Sequence, residues 1–271
     1  MAKILISPLG VGGQFQNQNQ REYTKTCYRI EEIDYPNSSF VASVLYQHLQ
    51  LDGIIFIGTV KSMWEEVYRF FCKERQQPLD EDYWFKLAET IDQVDRDSEL
   101  NDLNLQPVKK ILGDHSDCIL IKYGLNEEEI WQNFAQIIQI KNLLKEGAEV
   151  YLDITHSFRS LALFQFLTLT FINDLLAEQN IKIKGVYYGM LDVTRELGYT
   201  PIVNLGSLFE MMNWIKGAYT LKNYGDGELI AQLLDGKGEK VLADHISRFS
   251  NAVNINYYPT IKQKDNFLNK Y

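Results

Sequence analysis

A chain of 271 residues is long enough for one large or two small domains with a full core. Its 45% hydrophobic and 23% charged residues are ordinary globular composition, and no apolar run reaches the roughly 18 residues of a membrane span. The formal net charge of -9 argues against broad binding to long RNA or DNA, which needs a basic face, yet leaves room for a small anion in a local electropositive pocket.

The N-terminal segment MAKILISPLG has no signal-peptide layout. Cys27, Cys72 and Cys118 lie far apart and show no metal spacing, which suggests reduced thiols in a cytoplasm and no bound metal. Ala2 to Ser7 is a short β-run, followed by the glycine-rich Pro8-Leu9-Gly10-Val11-Gly12-Gly13 and the Gln/Asn run Gln14 to Gln20. Gly10, Gly12 and Gly13 allow backbone to approach a phosphate, with Gln14 beside them. A dinucleotide fingerprint fails here, because the glycines lead into a polar run and a β-like segment, Tyr23 to Ile33, rather than a helix. No cofactor is expected, and the Gln/Asn run is expected to form a lid.

The β-like segment reads as a hairpin ending before Pro36, and Ser38 or Ser39 is expected to cap a helix over Phe40 to Leu49. Asp52-Gly53 then turns the chain into a buried strand, Ile54 to Ile57, that ends in Gly58-Thr59. Lys61, Ser62 and Trp64 open the next helix. This junction of strand, small residue and helix carries a cationic side chain able to meet an anion. Pro78 to about Gln106 is acidic and helical, with Trp84, Leu87 and Ile91 on its apolar side, and is expected to lie over the sheet. Cys118 to Ile121 is a further strand, and Asn126 caps a helix predicted over Glu127 to Lys145, its three early glutamates suiting the positive end of the dipole.

The stretch Glu149 to Leu169 is the densest in chemistry. A β-rich run, Val150 to Ile154, turns through Thr155-His156-Ser157 into a nearly all-apolar helix from about Phe158, predicted to be a core helix. Asp153, Thr155, His156, Ser157, Arg159 and Ser160 therefore gather at the carboxyl end of a central strand and the first turn of a helix. Ligands bind in open α/β sheets at such places, and free N–H groups attract anions there. Arg159 adds bidentate reach to phosphate. Ile181 to Gly189 is another strand, ending in Tyr188-Gly189. Thr200 to Leu205 is a short strand and Leu208 to Leu221 an apolar helix. Two amphipathic helices follow between Glu228 and about Asn251, and the tail Ile255 to Tyr271 has no clear period. Strands alternating with helices make this an α/β protein with a largely parallel sheet.

The run D-I-T-H-S-F-R-S, residues 153–160, resembles the D-x-T-H-G motif of the CRISPR-associated proteins whose N-terminal domain is called CARF. Ser157 stands where that family usually has Gly, which adds a hydroxyl and disfavours a positive-φ turn. The Gly58-Thr59 junction with Ser62 and Trp64, the Tyr188-Gly189 strand ending and the Trp214 helix closing at Gly225 are similar in the same order. The resemblance covers about residues 3 to 250. It implies a Rossmann-like sensor domain over residues 1–224, with a helical insertion at about 78–106, and a short helical extension and tail over 225–271. It further implies a homodimer binding a cyclic oligoadenylate second messenger, with the tetra-adenylate as the expected ring, in type III CRISPR antiviral defence. A symmetric ring suits an isologous dimer. The expected ligand-binding set is Gly10, Gly12, Gly13, Gln14, Gly58, Thr59, Lys61, Ser62, Asp153, Thr155, His156, Ser157, Arg159 and Tyr188.

Family members often carry a HEPN ribonuclease with an R-x4–6-H motif. None of His48, His115, His156 and His245 has an arginine at that spacing. The sequence thus reads as a stand-alone sensor or a truncated effector. A ring nuclease remains the first alternative: the ribose 2′-OH attacks its neighbouring phosphate without metal, with His156, Arg159 and Ser157 as catalytic candidates. An interaction subunit passing the signal to a separate effector protein is the second, and a generic nucleotide-binding Rossmann protein the fallback.

Overall fold

The computed structural model describes residues 1–14, 21–22, 25–95, 98, 100–155, 163–167, 170, 174 and 180–254. The chain divides into two compact units, Met1–Asn204 and Leu205–Tyr271.

The first unit is built on an eight-stranded sheet. Its strands are β1 (Lys3–Leu9), β4 (Thr26–Ile30), β5 (Ile33–Ser38), β6 (Gly53–Gly58), β7 (Asp117–Leu120), β8 (Glu149–Asp153), β9 (Lys182–Gly189) and β10 (Thr200–Asn204), in the order β5-β4-β10-β9-β8-β1-β6-β7. A separate two-stranded ribbon joins β2 (Gly13–Gln14) to β3 (Arg21–Glu22). The five strands β9, β8, β1, β6 and β7 run parallel, as the apolar runs predict, while β10 is antiparallel to β9. Residues Ile4 to Ile6, Ile54 to Ile57, Val150 and Leu152 are at most 1% exposed, so the parallel strands are covered on both faces.

The helices of this unit are α1 (Val41–His48), α2 (Trp64–Glu74), α3 (Glu81–Gln93), α4 (Gln106–Leu112) and α5 (Glu127–Ile138). α2 buries Trp64, Val67 and Phe71, a helical spacing that puts one stripe on the sheet. Phe40, Phe56 and Phe71 meet edge to face above β6. α3 buries Leu87 and Ile91, as its sequence predicts, but it packs on α2, so the insertion extends the helical layer.

Three local expectations are corrected. Neither Ser38 nor Ser39 caps α1: Ser38 is the last residue of β5, Phe40 occupies the cap position, and Ser43 Oγ donates to Phe40 O at 2.6 Å. α5 does begin at the Asn126 cap, whose Oδ1 accepts Glu129 N–H at 2.9 Å, but it ends at Ile138 and passes into a 3-10 turn. Beyond the motif, residues 163–167 are helical, yet Leu163 and Leu167 are 62% and 53% exposed while Gln165 is buried. That segment is therefore two-faced where the sequence predicts a core helix.

The second unit contains α6 (Gly206–Tyr224), α7 (Glu228–Gly236) and α8 (Lys240–Asn254). The two amphipathic helices expected after Glu228 are α7 and α8. α6 groups with them, so the division falls at 204/205 where the sequence suggests 224/225. The reason is local packing: a Cβ on Gly217 would lie 2.9 Å from Ile230 Cγ1, and Thr220 Oγ1 donates to Asp226 O at 3.0 Å. The tail from 255 lies outside the described residues. No described helix is long and apolar enough to cross a membrane.

Candidate functional site at the strand ends

β1 is followed in the sheet by β6 on one side and flanked by β8 on the other. The chain leaves toward β6 and β7, then crosses back to β8 and β9, so the switch point lies between β1 and β8. A crevice forms at the carboxyl ends of strands at such a point. The β1–β8 ladder stops at Ile6↔Leu152, and the next residues are Ser7 and Asp153. Pro8, which has no N–H for a ladder, follows directly.

Across this gap Ser7 Oγ donates to Asp153 Oδ2 at 2.8 Å. The other carboxylate oxygen, Oδ1, accepts Thr155 N–H at 2.9 Å. Thr155 Oγ1 in turn accepts Gly189 N–H at 2.8 Å, and Ile154 N–H donates to Tyr187 O at 3.0 Å. One chain of hydrogen bonds thus joins the ends of β1, β8 and β9. Asp153 and Ser7 are at most 1% exposed. The aspartate of the motif is therefore the anchor of the turn, holding its first residues against both neighbouring strands. Ser7 was missed by sequence reasoning, although it is the lone polar residue in an apolar run. Tyr188 is half-buried on the opposite strand face from Tyr187, which stacks on Tyr151 with ring centroids 6.5 Å apart.

The β6 junction is equally specific. Ser62 is fully buried; its Oγ donates to Leu9 O at 2.6 Å and accepts Thr59 N–H at 2.9 Å, tying the β1 and β6 loops together. Trp64 Nε1 donates to Thr59 O at 2.9 Å. A Cβ on Gly58 would fall 2.7 Å from Ser62 Oγ and 2.8 Å from Trp64 Cζ2, so only glycine lets the ring and the hydroxyl close over the strand end. Gly10 O accepts Met63 N–H at 3.0 Å. Gly12 has φ +72, and a Cβ there would collide with Met63 Sδ. Thr59 is buried and its Oγ1 accepts Lys61 N–H at 3.3 Å. Lys61 Nζ reaches Ile91 O and Asp92 O, each at 2.9 Å, at the end of α3, where a cation meets the negative pole of the helix. Lys61 and Ser62 thus have defined work inside the protein, joining loops and helix.

Gly13 and Gln14 lie in the β2–β3 ribbon, and the expected lid residues 15–20 lie outside the described residues. His156, Ser157 and Arg159 also lie outside them. Among the described residues there is no group of three metal-ligating side chains.

Tyr28, on β4, lies within electrostatic reach of Asp153. Its ring is fully buried and its hydroxyl has no hydrogen-bond partner among the described residues. Burial pushes the phenol above its usual range, and the negative charge of Asp153 adds to the shift. A buried hydroxyl without a partner contributes a desolvation cost and no bond. Tyr28→Phe is therefore expected to leave stability within about 0.5 kcal/mol or to raise it. A loss above about 1 kcal/mol in urea unfolding would mean that the hydroxyl makes a bond in solution.

Comparison with known proteins gives three findings. Residues 4–208 match the family model described as CRISPR system endoribonuclease Csx1, CARF domain, and residues 210–271 match that of CRISPR-associated protein MJ1674, second domain. The CRISPR-associated protein MJ1674 of Methanocaldococcus jannaschii is 38% identical over 277 residues, covering 97% of this chain and 43% of the relative. The chain thus spans less than half the length of that curated relative. Among solved structures, Enterococcus italicus Csm6 bound to cyclic hexa-2'-fluoro-hexa-dAMP is similar at a TM-score of 0.44 and 12% identity, over 94% of this chain and 56% of that chain.

Proposed function

Since this chain belongs to the family defined by the Csx1 CARF domain, we propose that its first unit is a ligand sensor of type III CRISPR defence that binds a cyclic oligoadenylate at the strand ends. The observation that carries the reading is the Ser7–Asp153–Thr155–Gly189 chain of hydrogen bonds at the switch point. It occupies both carboxylate oxygens of Asp153 with hydrogen bonds inside the fold, so the aspartate holds the turn rather than facing the ligand. It also fixes the direction in which the motif leaves β8.

The proposed ring is the tetra-adenylate, held on a two-fold axis so that each half meets the same residues. Arg159 supplies the charge-assisted contact to phosphate, and Tyr188 a face for an adenine. The exposed Leu163 and Leu167, one helical turn apart just beyond the motif, support a second copy packing close to the ligand.

The test is incubation with cyclic tri-, tetra- and hexa-adenylate in EDTA, following binding and ring opening together. The expected result is binding of the tetra-adenylate with the ring intact, and a weakening of about tenfold or more in Arg159→Ala. Linear products bearing a 2′,3′-cyclic phosphate would make the protein a ring nuclease and turn attention to His156 and Ser157. No binding to any ring would end the sensor reading.

A further inference from the structure

β7 closes one end of the sheet and bonds to β6 on one side only. Ile121 N–H donates to Gly58 O at 2.9 Å, so the backbone groups of Ile119 and Ile121 turn toward β6. The alternation of a strand then turns those of Cys118, Leu120 and Lys122 outward. Side chains occupy the two outer positions. Cys118 N–H donates to Asp117 Oδ1 at 2.7 Å. At Lys122 the buried Asn133 carboxamide takes both backbone groups: Oδ1 accepts the N–H and Nδ2 donates to the C=O, each at 2.8 Å. A planar group with one donor and one acceptor thus sits on the edge as a neighbouring strand would.

Leu120, between these two, lines a cavity of about 520 Å³. Leu103, Leu105 and Leu143 give it apolar walls, and five carboxamides, Asn104, Gln106, Gln136, Gln139 and Asn142, give it a polar lining. Asn104 Oδ1 accepts Gln106 N–H at 3.2 Å and Asn142 Nδ2 donates to Gln139 Oε1 at 2.8 Å, which leaves the donor of Asn104 and the acceptor of Asn142 for a ligand. The charged lining residues, Lys109 and Asp117, are bonded to each other at 2.6 Å. The cavity therefore favours a neutral, flat ligand with alternating donors and acceptors over a phosphate.

We propose that this cavity is a nucleobase site, separate from the strand-end site, which takes an uncharged nucleoside. The base presents one donor and one acceptor to the outward C=O and N–H of Leu120, repeating what the Asn133 carboxamide does at Lys122. The leucines cover its faces, and the carboxamides read the rest of its edge. Its volume suits one nucleoside and falls within the usual range of ligand cavities.

The test is an amide-resolved NMR titration of the full chain with adenosine, guanosine, cytidine and uridine. Saturable shifts at Cys118 and Leu120 with at least one of the four are expected. Asn104→Ala with Asn142→Ala should weaken that binding by about tenfold or more while the fold, read from the rest of the spectrum, is kept. Binding of a cyclic oligoadenylate should be unchanged in the same variant, which separates this site from the strand ends. The assignment is overturned if no nucleoside gives saturable shifts in β7 up to about 10 mM, or if the double substitution leaves the affinity unchanged.

Discussion

Replacing Asp153 with alanine is expected to lower the unfolding free energy by about 3 kcal/mol and to abolish ligand binding. The carboxylate accepts two hydrogen bonds in a fully buried setting, from Ser7 Oγ and Thr155 N–H. Alanine leaves Thr155 N–H without its acceptor and Ser7 Oγ with only the longer bond to Pro8 O at 3.3 Å, and a buried unmet donor costs about 1–3 kcal/mol. Asparagine is the control. Its Oδ1 can still accept Thr155 N–H, while its Nδ2 can donate to Ser7 Oγ, whose own proton has Pro8 O within 3.3 Å. Asp153→Asn should therefore cost only about 1 kcal/mol. Urea unfolding of both variants checks this ordering. If alanine and asparagine cost the same, charge rather than hydrogen bonding would be what the site requires. If neither costs anything, the anchor role assigned to Asp153 is wrong.

Trp64→Ala is expected to be the most damaging single change, at about 4 kcal/mol. The indole is fully buried among the largest core side chains, and it closes over Gly58 at the end of β6. Trp64→Phe separates packing from hydrogen bonding. Thr59 O would lose the indole N–H but keep Ser62 N–H at 3.1 Å, so that loss should be about 1 kcal/mol plus a smaller void. Thermal unfolding read by circular dichroism decides the matter: equal losses in the two variants would show that the hydrogen bond, not the ring volume, holds the junction. Because Trp64 holds Thr59 O, Thr59 N–H donates to Ser62 Oγ and Ser62 Oγ donates to Leu9 O, both variants should disturb the glycine loop after β1.

The parts of this fold that were legible in the sequence are those whose cause is local. Ile54 to Ile57 reads as a buried strand because four β-favouring apolar residues stand together. Asn126 reads as a cap because three glutamates follow it. The cap expected at Ser38 or Ser39 failed for a tertiary reason: β5 continues through Ser38 to pair with Thr26, and strand pairing outweighs a cap. Likewise Lys61 carries the charge of a phosphate ligand, but its destination, the carbonyls of Ile91 and Asp92, depends on where the insertion folds. Ser7 is the clearest case. A lone polar residue in an apolar run marks the position, but nothing near it in sequence shows its partner, which lies 146 positions away. The carboxamide on the β7 edge was equally invisible, because Asn133 reads as an ordinary polar residue on the solvent side of an amphipathic helix.

That separation along the chain also sets a timetable. The ties that shape the strand-end site join Leu9 to Ser62, Ser7 to Asp153 and Thr155 to Gly189, over 53, 146 and 34 positions. Contacts so distant form late, since a long loop must close before they contribute anything. A nascent chain that has emerged only as far as β7 already holds β1 and β6 side by side, yet it has no partner for Ser7. The crevice comes into being only when β8 inserts beside β1 and β9 arrives to receive Thr155. At a synthesis rate of about 5–20 residues per second, that interval is several seconds long. During it β1, whose Ile4, Leu5 and Ile6 are at most 1% exposed in the finished sheet, has one side unpaired, so the step most exposed to misassembly is also the one that creates the site.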